Sequence, residues 1–212
     1  MKGTFITVEG PDGAGKTTQL QLMAEALKKE GYQVIMTREP GGTRIGNEIR
    51  SLILNPDFTE MDEMTEILLY AASRAQHVNE LIRPSLTAGT VVLCDRFVDA
   101  SIAYQGYGLG YSIEQIRNVN QQATGGLTPD RTYLFDLTVM DSKRRMIERG
   151  ALDRIEQRDD AFRERVYHGF LSLAASEPER IRLIDANQSI EAVQSLLLED
   201  VLAYLKKRER LS

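Results

Sequence analysis

Very little in this chain suits it to binding a metal on its own, crossing a bilayer or gripping a nucleic-acid backbone. It has one cysteine, Cys94, and two histidines in 212 residues. A single thiol forms no internal disulfide and offers no cysteine cluster to a metal. Cys94 sits in the apolar run VVLCD and reads as a buried core residue. No run approaches the roughly 20 apolar residues of a membrane-spanning helix. The first residues, MKGTFITVEG, lack the apolar core and cleavage site of a signal peptide. Lysine and arginine total 26 against 31 aspartates and glutamates, a net charge of −5, which argues against a surface built for nucleic acid. Small anions such as nucleotides stay possible, because a small site needs only local positive charge. Internal repeats, low-complexity tracts and linkers are also missing. The expectation is one cytosolic domain spanning 1–212.

Against those absences stands a regular alternation. Five short apolar runs, TFITVE (4–9), QVIMT (33–37), TVVLCD (90–95), RTYLFDL (131–137) and IRLIDA (181–186), are rich in β-branched or aromatic residues and apolar on both faces. That pattern suits buried parallel strands. Helical spacing fills the intervals 16–30, 44–54, 60–83, 112–123 and 141–176, with a last stretch over 188–208. Strands separated by helices predict a doubly wound α/β fold, a five-stranded parallel sheet with helices on both faces. Gly31 closes the first helix, and Pro84 and Gly89 mark the exit from the third. The charged tail KKRER (206–210) reads as the solvated end of the last helix. Two glycine-rich stretches, REPGGT (38–43) and YQGYGLG (104–110), are expected as loops near a ligand, beyond the carboxyl ends of the strands.

The stretch EGPDGAGKTT (9–18) fits G-x-x-x-x-G-K-[ST] directly after an apolar strand and at the start of a helix. Its glycines turn successive backbone N–H groups inward around phosphate oxygens, and the helix start adds its positive end. Gly10, Pro11, Asp12, Gly13, Ala14, Gly15, Lys16, Thr17 and Thr18 thus form a candidate triphosphate site. Lys16 reaches the β- and γ-phosphates, and the Thr17 hydroxyl is placed to ligate Mg²⁺. No N-K-x-D base-reading motif is present, which disfavours a switch GTPase. A small-molecule kinase needs a second, arginine-rich pocket, and Arg38, Arg50, Arg74 and Arg96 fall at or near strand ends or on the helices leaving them.

Asp95 ends the third apolar run and is the expected second metal contact, or alternatively a cap for the next helix. Arg96 beside it offers a planar fork for a phosphate. Asp12 is peculiar, since a carboxylate among phosphates must be compensated by a cation, an arginine or a hydroxyl donor. Residues 149–158, RGALDRIEQR, carry Arg149, Arg154 and Arg158 on a polar segment. They read as a lid at about 149–160 that excludes water and brings a cation to the transferred group, or as a plain solvated helix face. Phosphoryl transfer needs positioning more than a strong base, so His77 and His168 read as structural.

In this order EGPDGAGKTT, REPGGT, YAASRAQH, DRFVDASIAYQG, LTPDRTYLFDL, RGALDRIE and FRERVYHGFLSLA resemble the motifs of the thymidylate kinases, from about residue 4 to about 187. The resemblance implies the P-loop nucleoside-monophosphate-kinase fold, a homodimer, and transfer of the γ-phosphate of Mg·ATP to dTMP, giving dTDP and ADP. It places Lys16 and Thr17 on ATP and its metal. Arg50 and Arg96 would grip the dTMP phosphate, Arg74 would bond the thymine and Tyr70 would stack on it. Ser101 and Gln105 would read the base edge, Tyr104 would crowd a ribose 2′-hydroxyl, and Asp12 would meet the sugar 3′-hydroxyl or the metal side of the acceptor. Glu39 of REPGGT joins the same acceptor set. One arrangement in the family carries a basic residue in the phosphate loop; here that position is Gly13 and the arginines lie in the lid. The chain therefore resembles the bacterial type, with Arg154 as the lid-borne catalytic arginine and Asp153 and Glu156 fixing its orientation. Tyr70 and Phe97 depart from the usual Phe and Tyr.

Overall fold

The computed structural model describes residues 3–150 and 152–210 and, at Arg149, the backbone only. The chain runs β1 (Thr4–Glu9), α1 (Lys16–Lys29), β2 (Val34–Arg38), α2 (Arg44–Leu54), α3 (Glu63–His77), a π-helical turn (Val78–Ile82) and α4 (Arg83–Thr87). It continues through β3 (Val91–Asp95), α5 (Val98–Ser101), a second π-helical turn (Ile102–Gly108), α6 (Ile113–Thr124) and β4 (Arg131–Asp136). Helices α7 (Val139–Arg149) and α8 (Asp160–Ser176), strand β5 (Ile181–Asp185) and α9 (Ile190–Glu209) complete it.

The five apolar runs form one parallel sheet in the order β2-β3-β1-β4-β5. Successive residues of a strand point to opposite faces, so an all-apolar strand needs cover on both. Ile6, Val8, Val91, Leu93, Tyr133 and Phe135 turn toward α1 and α9. Phe5, Val92 and Cys94 turn toward the first π-helical turn and α4, while Leu134 and Ile181 meet α8 and the second turn. Cys94 is wholly buried, as its sequence context suggests, and burial raises its thiol pKa. Burying each such side chain contributes roughly 1.5–3 kcal/mol before entropy is counted. Among the described residues no helix is long and apolar enough to cross a membrane.

Three sequence expectations change. The helical stretch 60–83 does not stop before Pro84. It widens into a π turn and runs on to Thr87, because the wider turn relieves the clash of a proline ring with the carbonyl one turn back. The stretch 104–110 is mostly a helical turn rather than a loop. Gly106 and Gly108 serve close packing there: a Cβ on Gly108 would stand 2.6 Å from Phe162 and one on Gly106 2.5 Å from Ile113. Finally, 141–176 breaks into two helices joined by tight turns over 154–157. Asp153 Oδ1 accepts the N–H groups of Ile155 and Glu156, and Glu156 Oε2 accepts that of Asp153. This reciprocal pairing stabilises a turn inside the stretch read as a lid, so the alternative of an uninterrupted helix face does not hold there.

Candidate active site

Register decides where the ends of the strands lie. Val8 of β1 pairs with Asp95 of β3, so the glycine loop after β1 and Arg96 after β3 leave the sheet side by side. A cavity of about 680 Å³ opens there, of the size that small ligands occupy. Its lining runs from Asp12–Thr18 at one end, past Asp95 and Arg96, to Arg50, Tyr70, Arg74, Ser101, Tyr104 and Gln105 at the other.

At the loop end, Gly15 adopts a left-handed backbone (φ 83°) and precedes the first turn of α1. Lys16 is buried, and its ammonium donates to the carbonyls of Gly10 (3.0 Å) and Pro11 (2.6 Å). Burial, and then the charge of Arg96, lower its pKa to about 8. The Thr17 hydroxyl donates to Asp95 Oδ2 (2.8 Å). Asp95 Oδ1 is buried without a hydrogen bond, with Arg96 Nη1 3.9 Å away. Asp95 thus faces Thr17 instead of capping α5.

Asp12 has the compensation that its place requires. Arg96 Nη2 donates to its Oδ1 at 2.8 Å and the Tyr104 hydroxyl reaches its Oδ2 at 3.4 Å. The Tyr104 ring lies 5.7 Å from the same guanidinium, and its hydroxyl pKa is raised by burial and then by Asp12. Gly13 has φ 77°, and a Cβ there would stand 3.0 Å from the Arg145 side chain. Arg145 itself donates to the Gly13 carbonyl from α7 (3.2 Å). A side chain at this loop position would therefore sit on a left-handed backbone and tightly against Arg145.

At the far end, Arg74 is 2% exposed and heavily committed to the protein. Its Nε donates to Glu39 Oε2 (2.6 Å), Nη1 to Ser101 Oγ and Asn120 Oδ1, and Nη2 to the Phe97 carbonyl. Glu39 also bonds His77 Nδ1 (2.9 Å), whose other ring nitrogen meets Thr37 Oγ1. His77 is therefore a brace between β2 and α3, while His168 lies exposed on α8. Arg50 Nη1 donates to the Pro40 carbonyl (3.0 Å), and burial followed by the charge of Arg38 lowers its pKa. Tyr70, half-buried, has its pKa raised by burial and then by Glu66.

The lid arginines stand elsewhere. Arg154 Nε donates to the Ile53 carbonyl (2.8 Å) and its Nη2 to Glu66 Oε2 (2.8 Å), where Arg158 Nη2 also donates (2.9 Å). Neither guanidinium lines the cavity, although Asp153, Ile155 and Glu156 do. Asp153 and Glu156 hold the backbone turn rather than the Arg154 side chain directly. The Arg149 guanidinium lies outside the described residues.

The family model described as thymidylate kinase matches residues 8–197, almost the whole of this arrangement. The chain belongs to the thymidylate kinase family. It is thus a nucleoside monophosphate kinase, similar over its full length (81% identity, all of both chains) to a thymidylate kinase of Exiguobacterium sibiricum. It is 48% identical to that of Pelotomaculum thermopropionicum over 99% of this chain and 100% of the relative. The crystal structure of thymidylate kinase from Ehrlichia chaffeensis superposes with a TM-score of 0.77 at 34% identity, over 95% of this chain and 99% of that one. The thymidylate kinase fold thus accounts for the parallel sheet, the glycine loop and the arginine-lined far end together.

Sequence reasoning overlooked four residues of the site. Glu66 lay in reach of it, since 66, 70 and 74 recur at helical spacing on one face with Tyr70 and Arg74. Glu9, wholly buried, accepts the Phe97 N–H at 2.7 Å, and its signal was a charge closing an apolar strand. Asn120 and Arg145 gave none.

Proposed function

We propose that the chain transfers the γ-phosphate of ATP to dTMP within this one cavity, with the loop end holding the donor and the arginine-lined end the acceptor. The observation that supports this reading most is the continuity of the two ends through Asp95, Arg96 and Asp12. Backbone N–H groups of the Gly10–Thr18 loop, all but that of Pro11, which has none, and the N-terminus of α1 hold the donor phosphates, and Lys16 exchanges its carbonyl partners for phosphate oxygens. A buried ammonium with a lowered pKa binds an anion well, because the phosphates restore the charge partner it lacks.

Among the described residues no group of three or more His, Cys, Asp or Glu side chains stands ready to hold a metal. One carboxylate with an unpartnered buried oxygen beside one hydroxyl, Asp95 and Thr17, suits Mg²⁺, which takes few protein ligands and completes its shell with phosphates and water. When bound there, Mg²⁺ supplies neutralisation of charge on the phosphate oxygens. Arg50 and Arg96 grip the acceptor phosphate, and Asp12 keeps Arg96 aligned while facing the sugar. Tyr70 stacks on the base, Arg74 with Glu39 and Ser101 frames it, Gln105 reads its edge and Tyr104 crowds a 2′-hydroxyl. Arg154 remains the lid-borne catalytic arginine of this reading. It reaches the transferring group only by leaving Glu66, where Arg158 stays. The lid closes over the reactants and excludes water as a competing acceptor. The outer apolar stripes of α2 (Ile45, Leu52) and α3 (Met64, Leu68) pair two copies into a homodimer.

The test is ADP release with Mg·ATP against dTMP, dUMP, UMP, CMP, AMP, GMP and thymidine. Release with dTMP and little with the rest is expected. Release with thymidine but not dTMP contradicts the roles of Arg50 and Arg96. No acceptor-dependent release leaves a protein that binds ATP without turnover.

A further inference from the structure

The reading above uses Glu66 only as the resting partner of the lid arginines, yet it also touches the acceptor end of the site. It lies on α3, 1% exposed, and its two oxygens are divided. Oε2 accepts from both lid arginines, Arg154 at 2.8 Å and Arg158 at 2.9 Å. Oε1 accepts from the Gln105 amide nitrogen at 3.3 Å. Gln105 is itself 2% exposed, lines the cavity, and has its amide oxygen buried without a hydrogen-bond partner among the described residues.

We propose that Glu66 is a specificity-setting positioning residue, which fixes the orientation of the Gln105 amide and so decides which base edge the acceptor pocket takes. This rests on the reading of Gln105 as a base reader. A carboxylate facing two guanidinium groups accepts hydrogen bonds and donates none. The Gln105 amide must therefore turn its NH₂ toward Glu66 and leave its oxygen as a lone acceptor. Such an acceptor pairs with a ring N–H, as thymine and uracil carry at N3, and opposes the bare N3 lone pair of cytosine. A buried polar group left unpaired is what makes a site reject the wrong partner strongly. The lid is tied to base choice through the same carboxylate, since Arg154 and Arg158 hold Oε2 and leave Oε1 to Gln105.

The experiment measures kcat/KM for dTMP and for dCMP in the parent, Glu66→Gln, Gln105→Leu and the double variant. Glu66→Gln offers both donor and acceptor to Gln105, so the amide flips freely. The dTMP/dCMP ratio is expected to fall about tenfold or more, mostly through the KM for dTMP, with kcat for dTMP less affected. In the Gln105→Leu background Glu66→Gln should lower the ratio no further, because the two act as one unit. If Glu66→Gln lowers both substrates equally while Gln105→Leu collapses the ratio, the positioning role is overturned and the base-reading role stands. If Gln105→Leu leaves the ratio unchanged, both fall. Should Glu66→Gln not fold, nuclear Overhauser contacts in the parent–dTMP complex decide: contacts from the Gln105 amide protons to the Glu66 γ-protons are expected, and their absence overturns the proposal.

Discussion

Among the described residues Arg96 is the one non-glycine side chain on a left-handed backbone, with φ 68°. Holding it there costs on the order of 1–3 kcal/mol, which its neighbours must offset. Arg96 N–H donates to the Val8 carbonyl, Glu9 accepts the Phe97 N–H, and Arg74 donates to the Phe97 carbonyl. Glu9 is thereby buried as an acid: burial, and then Asp99, raise its pKa to about 8. Between the ordinary carboxylate range and pH 8 the folded chain keeps a proton that the unfolded chain has lost. Its contribution to stability is present in mild acid and is lost as pH rises through that window. Glu9→Gln, which resembles the protonated acid, should gain in Tm relative to the parent between about pH 5 and about pH 8.5. A difference that does not change with pH would show that Glu9 titrates like an exposed carboxylate. Lys16→Ala should abolish turnover by removing the γ-phosphate contact; substantial residual ADP release would break that assignment. Tyr104→Ala is expected to raise the use of ribonucleotide acceptors relative to dTMP, and an unchanged ribo/deoxy ratio removes Tyr104 from sugar selection. At this scale the nearness of Lys16 and Thr17 in the glycine loop follows from fixed local spacing, whereas the approach of Asp95, the acid ending the third apolar run, to Thr17 is a contact across 78 residues. Glu9 was not legible, because its partner Phe97 lies 88 residues away.

The segment between α7 and α8 behaves as an element of its own. Its turn is closed by Asp153 and Glu156 on each other's backbone, and its arginines anchor it on α2 and α3 through Ile53 and Glu66. Burial raises the Asp153 pKa, with Glu156 adding to it against the backbone bonds that lower it. Arg154→Ala should lower kcat on the order of 10³-fold if it meets the transferring group, as steady-state kinetics would show. A change confined to KM leaves Arg154 as a docking group and passes the role to another lid arginine. Sequence spacing showed that 149–158 is polar and arginine-rich, but not where the guanidinium groups go. Their partners lie 88 and 92 residues distant and are chosen by how α3 packs.

For the molecule as a whole, the strand order puts β1 at the centre, with β3 on one side and β4 on the other. The glycine loop therefore opens at the middle of the sheet, where ligands of open α/β folds bind. The apolar stripes left on α2 and α3 are the surface that the homodimer reading assigns to a second copy. Leu68, 53% exposed, is a central test: Leu68→Arg should shift sedimentation from dimer to monomer at micromolar concentration while leaving the far-ultraviolet circular dichroism unchanged. A parent that already sediments as a monomer removes the dimer from the reading.

By itself the sequence determined the five buried strands, the alternation with helices and the phosphate loop. These are local, since they follow from residue periodicity and from a backbone shape that glycines at fixed spacing allow. Arg50, Arg74 and Arg96, named through the resemblance of whole motifs, do line the same cavity. Tertiary structure alone decided the strand order, the tight turns over 154–157 between α7 and α8, the commitment of Arg74 to Glu39, Ser101 and Asn120, and the sharing of Glu66 between the lid and Gln105. Each of those depends on which buried charge finds which partner across the fold, and burial is a property of packed elements, with no period along the chain to reveal it.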